Sequence, residues 1–254
     1  MPGEYATVDY GNYSLKFSII GFEPAECDVV CNIKPTANTE IEIPTTATIS
    51  DAEYTVVALG NKAFQSCSYL TSIEMPENIK TIGHNAFESC SKLTSIEIPD
   101  NVTYIGNSAF RYASLKNVEI SNNVTYLGEY AFQNCNQLSE ITFEENSQLT
   151  EIKPYTFAYC DALTSIEIPT SITSIGSNAF KDCDGFVDFE LHDSIAYIGS
   201  WAFEYCDNLE NVYSYNLTPA TIEWGAFSSI NSSAKIYVPS ESLDEYKSQW
   251  SNYQ

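Results

Sequence analysis

The chain has 254 residues, 44% hydrophobic and 13% aromatic, which is enough to close a core and too much for a disordered polyelectrolyte despite a net charge of -23. Eleven Lys and Arg against 34 Asp and Glu give a surface that repels phosphate backbones, so nucleic-acid and anionic-membrane partners are disfavoured. No apolar stretch approaches the roughly 18 to 20 residues of a membrane helix, and Met1 to Tyr5 shows no basic segment leading into an apolar one, so no signal peptide is expected within this chain.

In chain order, Tyr5 to Pro35 alternates apolar and polar residues, as in Tyr13-Ser14-Leu15-Lys16-Phe17, and predicts a strand-rich N-terminal cap over residues 1–40. Cys27 and Cys31 in this cap are open to two readings, a disulfide across a tight turn or two free thiols. From residue 41 to 238 the chain repeats itself about eight times. The first copy is degenerate, Ile41-Glu42-Ile43-Pro44 being followed by a long loop to Val57-Ala58-Leu59-Gly60. Thereafter Ala-Phe recurs at Phe64, Phe87, Phe110, Phe132, Phe180, Phe203 and Phe227, with Thr156-Phe157 filling the gap, at spacings of 23, 23, 22, 25, 23, 23 and 24. Three residues after the Phe stand Cys67, Cys90, Cys135, Cys160, Cys183 and Cys206, with Ala113 and Ile230 as exceptions.

Each unit continues as L-x-x-I-x-I, for example Leu93, Ile96 and Ile98, whose final alternation predicts a short strand with one buried face. A second buried pair ending in glycine follows, as at Ile82-Gly83, Ile105-Gly106 and Leu127-Gly128. A unit of about 23 residues cannot bury its apolar face alone, whereas stacked copies share one continuous interior, which predicts an elongated repeat solenoid capped at both ends. Residues 239–254 predict a C-terminal capping helix, opened by a capping box at Ser242 to Glu245 and turning Leu243, Tyr246 and Trp250 inward.

The pattern C-x-x-L-x-x-I-x-I-P-x-x-V-x-x-I-G-x-x-A-F over Cys90 to Phe110 resembles the BspA-like leucine-rich repeat family. That resemblance implies a right-handed β/α superhelix with a parallel β-sheet on one face. It also implies a bacterial protein, secreted or displayed on the cell surface after removal of a signal upstream, that adheres to extracellular or cell-surface proteins without catalysis.

The residue between the two inward strand positions must point to solvent. That place holds Glu42, Glu74, Glu97, Glu119, Glu167 and Glu190, interrupted by Thr142 and Tyr213. In register, neighbouring carboxylates about 5 Å apart repel by roughly 0.8 kcal/mol per pair even in bulk water. The row reads either as a solubilising face inherited by duplication or as a docking strip for a partner, a basic protein segment or divalent cations. Glu74, Glu97, Glu119, Glu167, Glu190 and Tyr213 are the candidate partner-binding residues.

An alternative contact surface comprises Tyr104, Tyr126 and Tyr197 in one outward column, with Tyr112, Tyr159 and Tyr205 in another. Trp201 and Trp224, in successive units, offer a sugar-stacking platform. The cysteine column reads as buried thiols, neighbour disulfides or, least in keeping with the missing C-x-x-C, a metal site; no metal or cofactor is predicted. His84 and His192 are the only histidines, about five coils apart, and no nucleophile motif, phosphate loop or zinc motif is present, so no enzyme is predicted. The expected function is a protein-binding or adhesion module, monomeric, with carbohydrate or cation binding, or a structural spacer of a surface assembly, as alternatives.

Overall fold

The computed structural model describes residues 4–22 and 25–250. The alternating N-terminal segment folds as β1 (Tyr5–Asp9), β2 (Ser14–Phe22) and β3 (Ala25–Ile33), an antiparallel meander whose inward residues Leu15, Phe17, Cys27 and Val29 join the core. Two elements then enter the solenoid, β4 (Thr39–Glu42) and a hairpin made of β5 (Thr46–Ile49) and β6 (Ala52–Leu59). The hairpin corrects the long loop expected after Pro44. Its two-residue turn, Ser50-Asp51, has φ of 50° and 63° at both positions, a conformation usually signalled by Asn-Gly or Asp-Gly and therefore invisible in this sequence. β6 pairs in parallel with β3, joining cap to repeat.

Two parallel ladders run along the solenoid. On one face β4 pairs with β7 (Leu70–Glu74), Asn117–Ile120 with Glu140–Phe143, and Asp188–Leu191 with Asn211–Ser214 and then Lys235–Tyr237. A second ladder of two-residue strands runs from the end of β6 through Thr81–Ile82 and Tyr104–Ile105 to Tyr126–Leu127, and resumes from Glu151–Ile152 to Thr221–Ile222. Among the described residues the repeats contain no helix; chains of turns occupy the remaining side. The solenoid is thus a β-structure with little helix, where the resemblance implied β/α units.

The turns depend on left-handed corners. Lys62, Asn85, Ser108, Tyr130, Tyr155, Asn178 and Trp201 form one column at φ of 56–61°, and Ser66, Ser89, Tyr112, Asn134, Tyr159, Asp182, Tyr205 and Ser229 a second at 56–63°. All of these corners but Trp201 and Ser229 turn a backbone N–H onto a carbonyl of the next coil: Lys62 N–H donates to His84 C=O at 2.7 Å and Asn85 N–H to Asn107 C=O at 2.9 Å. Coil-to-coil bonding therefore continues through the turns, which is why they need no helix to satisfy their polar groups.

Within this frame the phenylalanines from Phe64 to Phe227 stack in one column, with successive ring centroids 5.0–5.6 Å apart and planes within 15°. Beside them the thiols of Cys90, Cys135, Cys160, Cys183 and Cys206 donate to the carbonyl of the Phe one coil back at 3.1–3.2 Å. None of the eight cysteines is in a disulfide, and all are buried. Burial pushes the thiols of Cys90, Cys135 and Cys206 up to about 12, so they pack as small hydrophobes. A Cys27–Cys31 staple is ruled out because both lie on β3, four residues apart in extended chain, on the order of 13 Å and far beyond disulfide reach.

A 3-10 turn, Ser240–Ser242, leads into α1 (Leu243–Gln249) at the C-terminus. Two expectations for it are corrected. Ser242 makes no capping bond, its hydroxyl donating instead to the Leu217 carbonyl, and Leu243 is 41% exposed. Tyr246 and Trp250 do turn inward. The Tyr246 hydroxyl donates to Asn216 C=O at 3.0 Å and Trp250 Nε1 to Ala220 C=O at 2.9 Å, satisfying both polar tips inside an apolar seat.

Candidate binding face

The first ladder places the outward row in register: Glu42 opposite Glu74, Glu119 opposite Thr142, and Glu190 opposite Tyr213, which faces Tyr237. Glu97 and Glu167 lie in stretches without regular strand bonding, the former tied in by a bridge between Ser95 and Asn117. All six glutamates are exposed, as alternation requires.

The face is concave over its N-terminal half. A depression of about 900 Å³ is walled by Glu40, Glu42, Glu74, Glu77 and Glu97, with Tyr10 and Tyr13 closing its cap end. A second, of about 560 Å³, continues it past Glu97 with Asp100, Glu119, Glu140 and Glu144 over a floor of Ser72, Ser95, Asn117 and Thr142. Glu97, Ser72 and Ile73 belong to both, so they make one groove. Neither lining includes a Lys, Arg or His among the described residues.

Four cations are paired outside the groove: Lys80 with Glu26 at 2.7 Å, Arg111 near Glu88 at 3.8 Å, Lys181 with Glu204 at 2.5 Å, and Lys153 with Glu151.

Sequence reasoning missed the two tyrosines at the groove mouth. Tyr10 and Tyr13 flank the turn between β1 and β2, and their rings stack at 4.9 Å and 8°. Tyr13 is buried and Tyr10 exposed; burial first, then Tyr10, Cys31 and Glu42, raise the Tyr13 hydroxyl above its ordinary range. At the other end Tyr213 stacks on Tyr237 at 4.9 Å, with Tyr215 and Leu217 exposed beyond them. Stacked tyrosines therefore stand at both ends of the face, with the carboxylate groove lying against the N-terminal pair.

The flank tyrosines do not form one surface. Tyr104 and Tyr126 stack at 4.6 Å but are half-buried, with the Tyr126 hydroxyl donating to Asn107 at 3.0 Å and Tyr104 touching His84. Tyr197 stands apart, since Glu151 and Ser174 occupy its column between. Trp201 and Trp224 meet edge to face, 5.3 Å apart at 89°, rather than as a flat platform, and Trp224 is 72% exposed. Among the described residues no three His, Cys, Asp or Glu side chains converge so as to hold a metal ion.

The family model for the BspA type leucine rich repeat region, in 6 copies, matches residues 57–162 and 150–250. The chain belongs to this BspA-type family. Comparison with curated proteins returned no match. Solved structures similar to this BspA-type solenoid include the pneumococcal vaccine antigen PcpA, at 15% identity and a TM-score of 0.59 with 96% of each chain covered. A leucine-rich repeat protein of Bacteroides ovatus aligns at 22% identity and 0.57, over 94% of this chain and 76% of that one. The leucine-rich repeat protein of T. pallidum gives 22% and 0.52, over 83% and 86%. At these identities the likeness is one of fold. No helix among the described residues is long and apolar enough to cross a membrane.

Proposed function

We propose that this BspA-type solenoid is a binding module of a secreted or surface-exposed bacterial protein, taking a basic, extended segment of an extracellular or cell-surface protein along its strand face. The observation that carries this reading is the groove of nine carboxylates, Glu40 to Glu144, lined by no cation while the ion pairs lie elsewhere. Uncompensated charge in a concave face repels itself and attracts cations, which raises the encounter rate of a cationic partner and makes it salt-dependent. The aromatic end at Tyr213 and Tyr237 supplies apolar contact of the kind that gives an interface its affinity.

The test is surface biosensing of a lysine-rich peptide, a neutral peptide of equal length, and extracellular-matrix proteins. Binding that prefers the lysine-rich peptide, weakens with salt and falls at least tenfold in Glu97→Lys/Glu119→Lys supports the face; unchanged binding in that variant removes it. Trp224 favours a second reading, carbohydrate contact at the C-terminal flank. A glycan array showing no ligand lost on Trp224→Ala eliminates it.

A further inference from the structure

Cys67 is the first thiol of its column, and its situation differs from the rest. Those that follow, from Cys90 on, each donate to a Phe carbonyl one coil back. Before Cys67 the cap strand β3 stands in place of a coil: Cys31 bonds to Ala63 as Phe64 bonds to Ala86, which sets the Cys67 thiol against Cys31, each perturbing the other. The backbone holds them in place, with Cys31 N–H donating to Ala63 C=O at 2.7 Å and Cys67 N–H to Phe64 C=O at 3.0 Å. Neither is in a disulfide; Cys67 is fully buried, while Cys31 keeps 7% exposure.

We propose that Cys31 and Cys67 are a modification site, a thiol pair that a small disulfide oxidant closes into a bond between the N-terminal cap and the first full coil. The Cys31 thiolate attacks one sulfur of the oxidant, forming a mixed disulfide and expelling one thiolate. Cys67 then attacks Sγ of Cys31, expelling the second. The oxidant R–S–S–R is reduced to two R–SH, which take up the two protons lost by the cysteines. Cys31 fits the first role because it is the member with exposure, and because Cys67 beside it holds its pKa below the ordinary thiol range while that of Cys67 is raised. The bond would close a loop of about 36 residues that includes β4, the β5–β6 hairpin and Glu42. It would also fix the cap against the groove, since Tyr13, beside Cys31, forms its wall. The proposal does not depend on what the groove binds.

The full chain is equilibrated in oxidised and reduced glutathione at a ratio typical of a secretory compartment, quenched in acid, unfolded in denaturant with an alkylating agent so that every buried thiol reacts, and mapped by mass spectrometry. Two of the eight cysteines should escape alkylation, in one cross-linked pair of peptides carrying Cys31 and Cys67. The melting temperature should rise by about 5–10 °C over the reduced protein. Cys31→Ala should fold, lose the cross-link and melt alike in both buffers, whereas Cys27→Ala should keep the cross-link. Eight alkylated cysteines after unfolding, or a bond joining Cys67 to Cys90 or two chains, overturns the proposal.

Discussion

Single backbone positions decide whether coils can stack at all. A Cβ on Gly106 would lie 2.6 Å from the His84 nitrogen and 2.8 Å from the Gly83 carbonyl carbon, backbone atoms that cannot swing aside. Alanine would stiffen the unfolded chain, a gain of about 0.4–1 kcal/mol, but overpacking of this kind costs about 3 kcal/mol and wins. Gly106→Ala should therefore lower the urea midpoint with little change in slope. The opposite holds at Lys62, where a side chain sits at φ of 61° in a column whose last member is already a glycine, Gly225, at 74°. Relief of about 1–2 kcal/mol of left-handed strain outweighs glycine's loss of about 0.5–1 kcal/mol in chain entropy. Lys62→Gly should raise the urea midpoint, and its backbone bond to His84 does not need the side chain.

Between residues, the columns behave as elements in their own right. Asp161, Asp184 and Asp207 follow their cysteines in three successive coils, and the Asp207 N–H donates to Asp184 Oδ1 at 3.1 Å. Burial first, and Asp184 second, raise the carboxyls of Asp161 and Asp182 above their ordinary values. A raised carboxyl pKa means the folded chain binds protons more tightly than the unfolded one. Its contribution to stability is thus present at low pH and lost as pH rises through that pKa. Asp184→Asn keeps the acceptor and removes the charge. It should stabilise by a few tenths of a kcal/mol at pH 7, an advantage that fades as acid protonates Asp161 and Asp182, a step that their raised carboxyl pKa places above the ordinary carboxylate range. A thermal melt of both proteins from pH 7 down through that range measures it; an advantage that grows toward acid would refute the sign.

Such columns were legible in the sequence because the 23-residue period assigns each residue to a place. The Phe stack, the inward strand residues and the outward glutamates all follow from register plus alternation. What escaped lies where the period fails. The cap carries no repeat to align, so nothing in the sequence brought Tyr10 and Tyr13 to the groove or Cys31 to Cys67. The β5–β6 hairpin turns on Ser50-Asp51 without a glycine, and the left-handed corners fall on residues as unlike as Lys62, Tyr130 and Trp201. Helical spacing predicts Leu243 inward, but α1 has seven residues and one buried side chain within it, Tyr246.

At the scale of the whole molecule, a stack in which each coil touches mainly its neighbours has no central nucleus, and its stability is close to a sum of coil and interface terms. Its ends are then the places where unfolding begins. The N-terminal end is closed by a three-stranded meander bonded to β6. Among the described residues α1 and the last strand close the C-terminal end of the stack, where Trp250 packs on Phe227 at 6.0 Å and on Tyr246 at 5.1 Å. Trp250→Ala removes that seal and leaves the Ala220 carbonyl without its donor, a loss of about 3–5 kcal/mol. In a globule a loss of that size would lower the protection of every core amide together. In a stack it should fall on the terminal coils. Hydrogen exchange should show faster exchange of backbone N–H groups from Asn211 to Tyr237, with those of Phe87 and Phe110 unchanged. Uniform loss of protection along the chain would instead show that the coils unfold as one cooperative body.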